Sequence, residues 1–138
     1  MSNLFSAINA SASALDAQRA RIEVAVSNLA NAESTHGGTY RRRDVVLETQ
    51  SFADVSGRAE SAVAGVRVAG IVEDQTPFNR RYEPGHADAD AEGFVAMPNV
   101  DVPEEMVNMI GASRAYQANL TAIGLVRDTI QKALELAK

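Results

Sequence analysis

Residues 84–93 hold the side chains of this sequence that come closest to a metal site. His86, Asp88 and Asp90 alternate with alanines, and imidazole and carboxylate groups at this spacing can ligate a divalent cation. A calcium loop also requires a glycine and a bidentate glutamate in fixed register, which this segment does not provide. The pattern favours a solvated acidic turn, and a metal-dependent enzyme is the alternative that His86→Ala would test.

Other residue types offer less chemistry. The chain has no cysteine, which excludes disulfides, thiolate zinc sites and thiol catalysis. The run 41–43 is three arginines, but a chain with a net charge of -5 is a poor candidate for binding nucleic acid. No nucleophile motif, phosphate loop or dinucleotide fingerprint occurs. We therefore expect neither an enzyme nor a cofactor, catalytic or metal site.

The composition indicates a protein that has few large apolar side chains of its own and completes its hydrophobic core by packing against other molecules. Of the 138 residues, 46% count as hydrophobic, but 24 residues are alanine, which buries little area. Tryptophan is absent and aromatic residues make up 5%. No apolar run approaches the roughly 20 residues that span a bilayer, so no membrane insertion is expected. The N-terminal residues also do not have the pattern of a cleavable signal peptide.

Both ends of the chain have the spacing of long amphipathic helices. Apolar residues recur every seven positions at Ile8, Leu15, Ile22 and Leu29, and an alternating three-four spacing runs from Met106 to the C-terminus. Asp101 and Glu104 resemble a capping box that starts the second helix. The segments 1–36 and 104–138 are therefore predicted as helices that pair as an antiparallel coiled coil.

The middle of the chain, 37–103, differs from the ends in composition and in predicted secondary structure. It contains all four prolines, and valine-rich stretches at 40–48 and 65–73 predict strands. A further short strand is predicted at 93–97, and the small, polar stretch near 50–64 is predicted as a flexible loop. The predicted fold class is therefore mainly α, with a small β-rich central segment.

The heptad positions are the candidate functional residues. A monomeric helical hairpin would explain part of the pattern, but small and apolar residues also lie off the repeat, which favours a multi-subunit assembly. A head-to-tail contact that does not close generates a helical filament, so the expected partner is further copies of this chain in a helical multimer. The predicted assembly positions are Phe5, Ile8, Leu15, Ile22, Leu29, Met109, Tyr116, Ile123, Ile130 and Leu134.

Two longer motifs resemble the signatures of flagellar rod and hook proteins, the axial proteins of the bacterial flagellum. The residues that carry the resemblance lie in 27–42 and 106–119: Asn28, Ala30, Asn31, Tyr40, Arg114, Tyr116, Gln117 and Asn119. In the middle of the chain, 65–68, 74–78, 82–86 and 98–100 resemble the proteins of the proximal rod. The similarity extends over essentially the whole sequence.

This resemblance implies a structural subunit of the proximal rod that transmits torque for motility. Its partners would be further copies of itself, other rod subunits, the flagellar type III export apparatus and the surrounding basal-body rings. It would be exported without a cleaved signal peptide and would assemble in the periplasm. The alternatives are another rod- or hook-type axial subunit, or a cytoplasmic coiled-coil adaptor or secretion chaperone.

Overall fold

Two long helices and two short antiparallel sheets make up the computed structural model of the protein. Residues 2–35, 38–51 and 64–136 are described, except for the side chains of residues 2–5 and Ala64. The elements in chain order are α1 (Ser2–Ala30), β1 (Arg43–Ser51), β2 (Ala64–Glu73), β3 (Asn79–Tyr82), β4 (Phe94–Met97) and α2 (Val102–Leu136). The predicted mainly α fold with a β-containing middle is confirmed.

The helices lie side by side and antiparallel, so that the end of α1 meets the start of α2. The helix α1 has 29 residues and α2 has 35, which corresponds to about 44 Å and about 52 Å at 1.5 Å per residue. The start of α2 is capped as the sequence predicts, because the Asp101 Oδ1 accepts a hydrogen bond from the Glu104 backbone N–H at 3.0 Å. The acidic residues Glu104 and Glu105 follow in its first turn.

The strands β1 and β2 form an antiparallel hairpin, with a bulge between Val46 and Leu47 that shifts the register. The predicted strand 40–48 begins three residues too early, because residues 40–42 use their polar groups at the junction described below. The second predicted strand, 65–73, agrees with β2 to within one residue. Most of the loop predicted near 50–64 lies outside the described residues, and its outermost residues belong to the two strands.

The strands β3 and β4 form a second antiparallel pair, with Asn79 opposite Met97 and Tyr82 opposite Phe94. The sequence analysis predicts β4 but not β3, whose four residues are all exposed and show no apolar alternation. In the turn between them, Asp90 Oδ1 accepts hydrogen bonds from the Glu92 and Phe94 N–H groups at 2.9 and 2.8 Å. Gly93 completes this turn with a φ of +84°, a conformation that favours glycine.

Among the described residues, the buried apolar side chains form two groups, one in the segment between the helices that holds β1 to β4, which we call the β segment, and one on the helices. Val95, Met97, Pro98 and Val100 are buried on the β side. The helices contribute mainly small side chains, namely Ala17, Val24, Ala25 and Ala112. Because alanine and valine bury little area, the helices receive only part of their support from the rest of the chain.

Candidate assembly interface and polar junction

The positions predicted as the assembly seam are mostly half-buried on the two helices. Eight of the ten have half-buried side chains: Ile8, Leu15, Ile22, Leu29, Met109, Tyr116, Ile123 and Ile130. Leu134 is 58% exposed, near the end of α2. The side chain of Phe5 lies outside the described part of the chain. The seam is therefore only partly covered within the subunit, and its role in assembly stays a prediction.

A second apolar surface lies on α2 and is more exposed than the seam. We call it the outer face of α2 and define it by the exposed residues Val107, Ala118, Leu125 and Leu136, which lie within about 20° of one another around the helix. The exposed fraction of Val107 is 68% and that of Leu125 is 64%. These two residues are 18 positions apart, which is five helical turns, so they project from the same side of the helix. On this side of the helix the exposed apolar side chains alternate with polar ones such as Arg114 and Thr121, and a neighbouring subunit can bury the apolar ones.

A polar junction joins the helix pair to the β segment. Its centre is Asn28, which is fully buried near the end of α1. The Asn28 Nδ2 donates hydrogen bonds to the Arg43 carbonyl at 2.8 Å and to Glu105 Oε2 at 3.0 Å. Its Oδ1 accepts from the Tyr40 hydroxyl and from the Arg43 N–H, both at 2.9 Å. Asn28 therefore makes all four of the hydrogen bonds that its amide can make.

Glu105 and Arg42 form the charged part of the junction. The Arg42 Nε donates to Glu105 Oε1 at 2.7 Å, and the Glu105 side chain is only 3% exposed. Burial alone lowers the pKa of Arg42, but the hydrogen bond and the negative charge of Glu105 outweigh it, so this pKa lies above its usual value. The guanidinium also lies 3.6 Å from carboxylate oxygens of Asp44 and Asp74.

Asn99 closes the junction on the β side. Its Oδ1 accepts from the Arg42 N–H at 2.8 Å, and its Nδ2 donates to Thr76 Oγ1 at 2.8 Å. Arg41 binds the same turn, because its Nη1 donates to the carbonyls of Asp74 and Thr76 at 3.0 and 3.2 Å. Arg41 and Arg42 of the arginine run 41–43 are therefore both engaged within the protein.

The motif residues divide between the junction and the surface. Asn28 and Tyr40 belong to the junction, and Asn31 Nδ2 donates to the Ser27 carbonyl at 2.8 Å just after α1 ends. In α2, Asn119 Nδ2 donates to the Ala115 carbonyl at 2.9 Å and Tyr116 is half-buried. Three further motif residues have exposed side chains: Ala30, Arg114 and Gln117.

The candidate cation ligands are used for other contacts. Asp90 binds the backbone of its own turn, and its Oδ2 accepts from Arg80 Nη2 at 2.8 Å. The Phe94 N–H contributes most to lowering the pKa of Asp90. The His86 Nδ1 accepts a hydrogen bond from the Asp88 N–H at 3.1 Å. Within the described ranges there is no group of three or more acidic, histidine or cysteine side chains that could hold a metal ion.

The sequence of this helix pair matches two family models. One, Flagella basal body rod protein, matches residues 8–37, and the other, Flagellar basal body rod FlgEFG protein C-terminal, matches residues 91–136. The flagellar basal-body rod protein FlgC of Bacillus subtilis is 42% identical, over 97% of this chain and 98% of its own length. The chain belongs to the FlgC family.

Other FlgC relatives agree over similar lengths. FlgC of Escherichia coli O6:H1 is 46% identical, over 91% of this chain and 92% of its own length. FlgC of Borreliella burgdorferi is 37% identical, over 96% and 97% of the two chains. The FlgC family is a family of structural proteins of the flagellar basal-body rod, so this chain is a structural rod protein. Neither described helix is long and apolar enough to cross a membrane.

The FlgC resemblance was visible in the sequence, but most of the junction was not. Asn28 and Tyr40 are identified in the sequence only as motif residues, and no spacing or motif singles out Glu105. Arg42 and Glu105 are 63 residues apart, and Asn28 and Glu105 are 77 apart. The sequence does show Arg42, Arg43 and Glu105 close to the ends of predicted helices and strands. Their position in the sequence does not tell which of them bind each other.

Proposed function

We propose that this FlgC-family chain is a subunit of the proximal rod that assembles helically through its two terminal helices and transmits torque toward the hook. The observation that carries the proposal is the outer face of α2, where apolar side chains stay exposed over five turns. The seam between α1 and α2 is also only half covered. Packing against neighbouring subunits would bury both surfaces, and each fully buried leucine or valine would contribute about 1.5–3 kcal/mol.

The proposed partners are further copies of this chain and other rod subunits, with the basal-body rings around them. A rod that turns as one body requires contacts that repeat along its axis, and a heterologous contact that does not close provides such a repeat. The paired helices would line the interior of the rod, and the two small sheets would form its outer layer. The hairpin of β1 and β2 exposes Val46, Leu47, Val68, Ile71 and Val72 for lateral contacts.

The subunit is proposed to reach the periplasm through the flagellar type III export apparatus, without cleavage of a signal peptide. Membership of the FlgC family supports this route. N-terminal sequencing of the chain from purified basal bodies tests it. A start at Met1 or Ser2 is expected, and a start further along the chain would contradict export without cleavage.

The test of assembly is whether the chain copurifies with detergent-extracted basal bodies. We expect the native chain in that fraction, whereas Leu15→Asp with Ile123→Asp should remove it and abolish swimming. Two charges on the seam would repel neighbouring helices and lose apolar burial. The control is Gln75→Asp with Ala91→Asp, which adds the same charge at exposed positions of the β segment.

The control variant should be incorporated and should support swimming. Normal motility of the Leu15→Asp, Ile123→Asp variant would contradict the seam assignment. A native chain that stays in the cytoplasmic fraction as a small oligomer would favour an adaptor or secretion chaperone instead.

A further inference from the structure

The apolar contacts between α1 and α2 do not by themselves fix how far one helix is advanced along the other. Apolar residues recur every seven positions on α1 from Ile8 to Leu29 and on α2 from Met109 to Ile130. A displacement by one heptad therefore places each of them opposite an equivalent residue and buries nearly the same area. Among the described side chains of the helices, the buried apolar ones are three alanines and one valine, so their shape adds little discrimination between registers.

The junction does distinguish between these registers. In the observed register Asn28 lies against Glu105, and both carboxylate oxygens of Glu105 accept hydrogen bonds. A displacement by one heptad would bring Ala112 or Pro98 to this place, and neither has a side chain that can accept from the Asn28 Nδ2. A buried donor without an acceptor costs free energy, so only the observed register satisfies this amide.

Arg42 extends this discrimination to the β segment. Its side chain binds Glu105 on α2, while its backbone N–H binds Asn99 at the turn before α2. The next residue, Arg43, contacts Asn28 through both its N–H and its carbonyl. Residues 42 and 43, which lead into β1, are therefore bound to both helices. A displacement of either helix would break the contact of Arg42 with α2 or the contacts of Arg43 with α1.

We propose that Asn28, Arg42 and Glu105 form a register lock, which fixes the axial position of α1 against α2 and the position of the β segment relative to both. The lock sets a geometry that the seven-residue repeat alone leaves open. Single buried polar groups specify register in coiled coils in the same way, often without adding stability. This inference concerns the subunit alone and does not depend on the proposed assembly.

The chain offers a matched pair of Arg–Glu contacts for a test. In the junction the side chains of Arg42 and Glu105 are 15% and 3% exposed, whereas Arg67 and Glu48 form a 2.6 Å ion pair on the hairpin with side chains 60% and 51% exposed. The lock variant is Arg42→Leu with Glu105→Leu, and the control is Glu48→Leu with Arg67→Leu. Both variants remove one arginine and one glutamate and add two leucines.

The axial position can be measured by pulsed electron spin resonance between two labels. Because the chain has no cysteine, Glu23→Cys and Lys132→Cys introduce the only labelling sites, on exposed positions of α1 and α2. Since Asn28 lies against Glu105 in the antiparallel pair, Glu23 lies opposite about residue 110, so the two labels are about 33 Å apart along the helix axis and their distance follows an axial displacement. A displacement of one heptad moves the helices by about 10 Å at 1.5 Å per residue. The full chain with native junction and the control variant should each give one narrow distance distribution.

The lock variant should show a second population, whose label-to-label distance differs from the native distance by about 10 Å, or a distance distribution several times broader. A single distance equal to the native one would overturn the proposal, because register would then be set without the lock. The same broadening in the control variant, or a broad distribution in the native chain, would also overturn it.

If circular dichroism shows that the lock variant has lost its helices, Glu105→Gln replaces it. A glutamine has one acceptor oxygen where the carboxylate has two, so it can serve only one of Arg42 and Asn28 as acceptor. A minor displaced population, absent from the control variant, is then expected. A single native distance in Glu105→Gln would contradict the lock.

Discussion

The junction, to which α2 contributes Glu105, and the outer face of α2 differ in how their side chains are satisfied. At the junction, polar groups are buried and bound within the chain: Asn28 makes four hydrogen bonds and Glu105 is 2% exposed. On the outer face, apolar side chains such as Leu125 remain largely exposed. The junction is therefore completed by the subunit itself, whereas the outer face provides surface that a neighbouring subunit can bury.

The largest effect on the free subunit is expected from Asn28→Asp, which keeps the shape of the side chain. The new carboxylate cannot donate to the Arg43 carbonyl and places a second negative charge against Glu105. The free energy of unfolding should fall by about 3–5 kcal/mol, the range typical of a broken buried ionic contact. Urea unfolding followed by circular dichroism measures this.

The control for that substitution is Asn31→Asp, because Asn31 is half-buried and its Nδ2 binds only the Ser27 carbonyl among the contacts described. The expected loss is about 1 kcal/mol for a single hydrogen bond. Equal losses of unfolding free energy in Asn28→Asp and Asn31→Asp would contradict a larger contribution of the junction to stability.

A smaller effect is expected from Gly93→Ala, in the turn between β3 and β4. Gly93 has a φ of +84°, and an added Cβ would lie 2.9 Å from Tyr82 Cε2 and 3.1 Å from Pro84 Cβ. The strain should lower the free energy of unfolding by about 1–3 kcal/mol. Gly85→Ala is the control, because nothing lies within 4 Å of its added Cβ. A stability loss in Gly85→Ala equal to that in Gly93→Ala would contradict the steric explanation.

The turn of β3 and β4 should also respond to acid. The Phe94 and Glu92 N–H groups and Arg80 lower the pKa of Asp90 below its ordinary value of 3.8. The folded pKa is lower than the unfolded one, so the stabilisation is complete above the unfolded value and is lost as pH falls through the folded value. Thermal unfolding at pH 7 and pH 3 should show a smaller loss for Asp90→Asn than for the native chain. An unchanged loss would contradict the contribution of Asp90.

The smallest effect on stability is expected on the outer face of α2. Leu125→Ser removes an exposed side chain, so the free energy of unfolding should change by no more than about 0.5 kcal/mol. Incorporation into basal bodies should nevertheless fall, because the surface lost there is the one that a neighbour buries. A large loss of stability in the free subunit would show that this face is covered within the chain.

The sequence predicts the helices well because the information is local. Seven-residue spacing, the Asp101 cap and the change of composition in the middle each involve residues close together in the chain. The strand β3 was missed because its residues are all polar or exposed, so no alternation marks it. The junction was missed for a different reason, since Arg42 and Glu105 meet across 63 residues. The spacing of residues that are close in the sequence does not show that Arg42 forms an ion pair with Glu105.

Cysteine reactivity at Leu125→Cys tests most directly whether the outer face of α2 is an assembly surface. The chain has no native cysteine, so a maleimide reports this position alone, and Gln75→Cys on the exposed β segment is the reference. We predict that Leu125→Cys reacts rapidly in the free subunit and at least tenfold more slowly in purified basal bodies, while the reference changes less. Equal reactivity of Leu125→Cys in the two states would contradict the account.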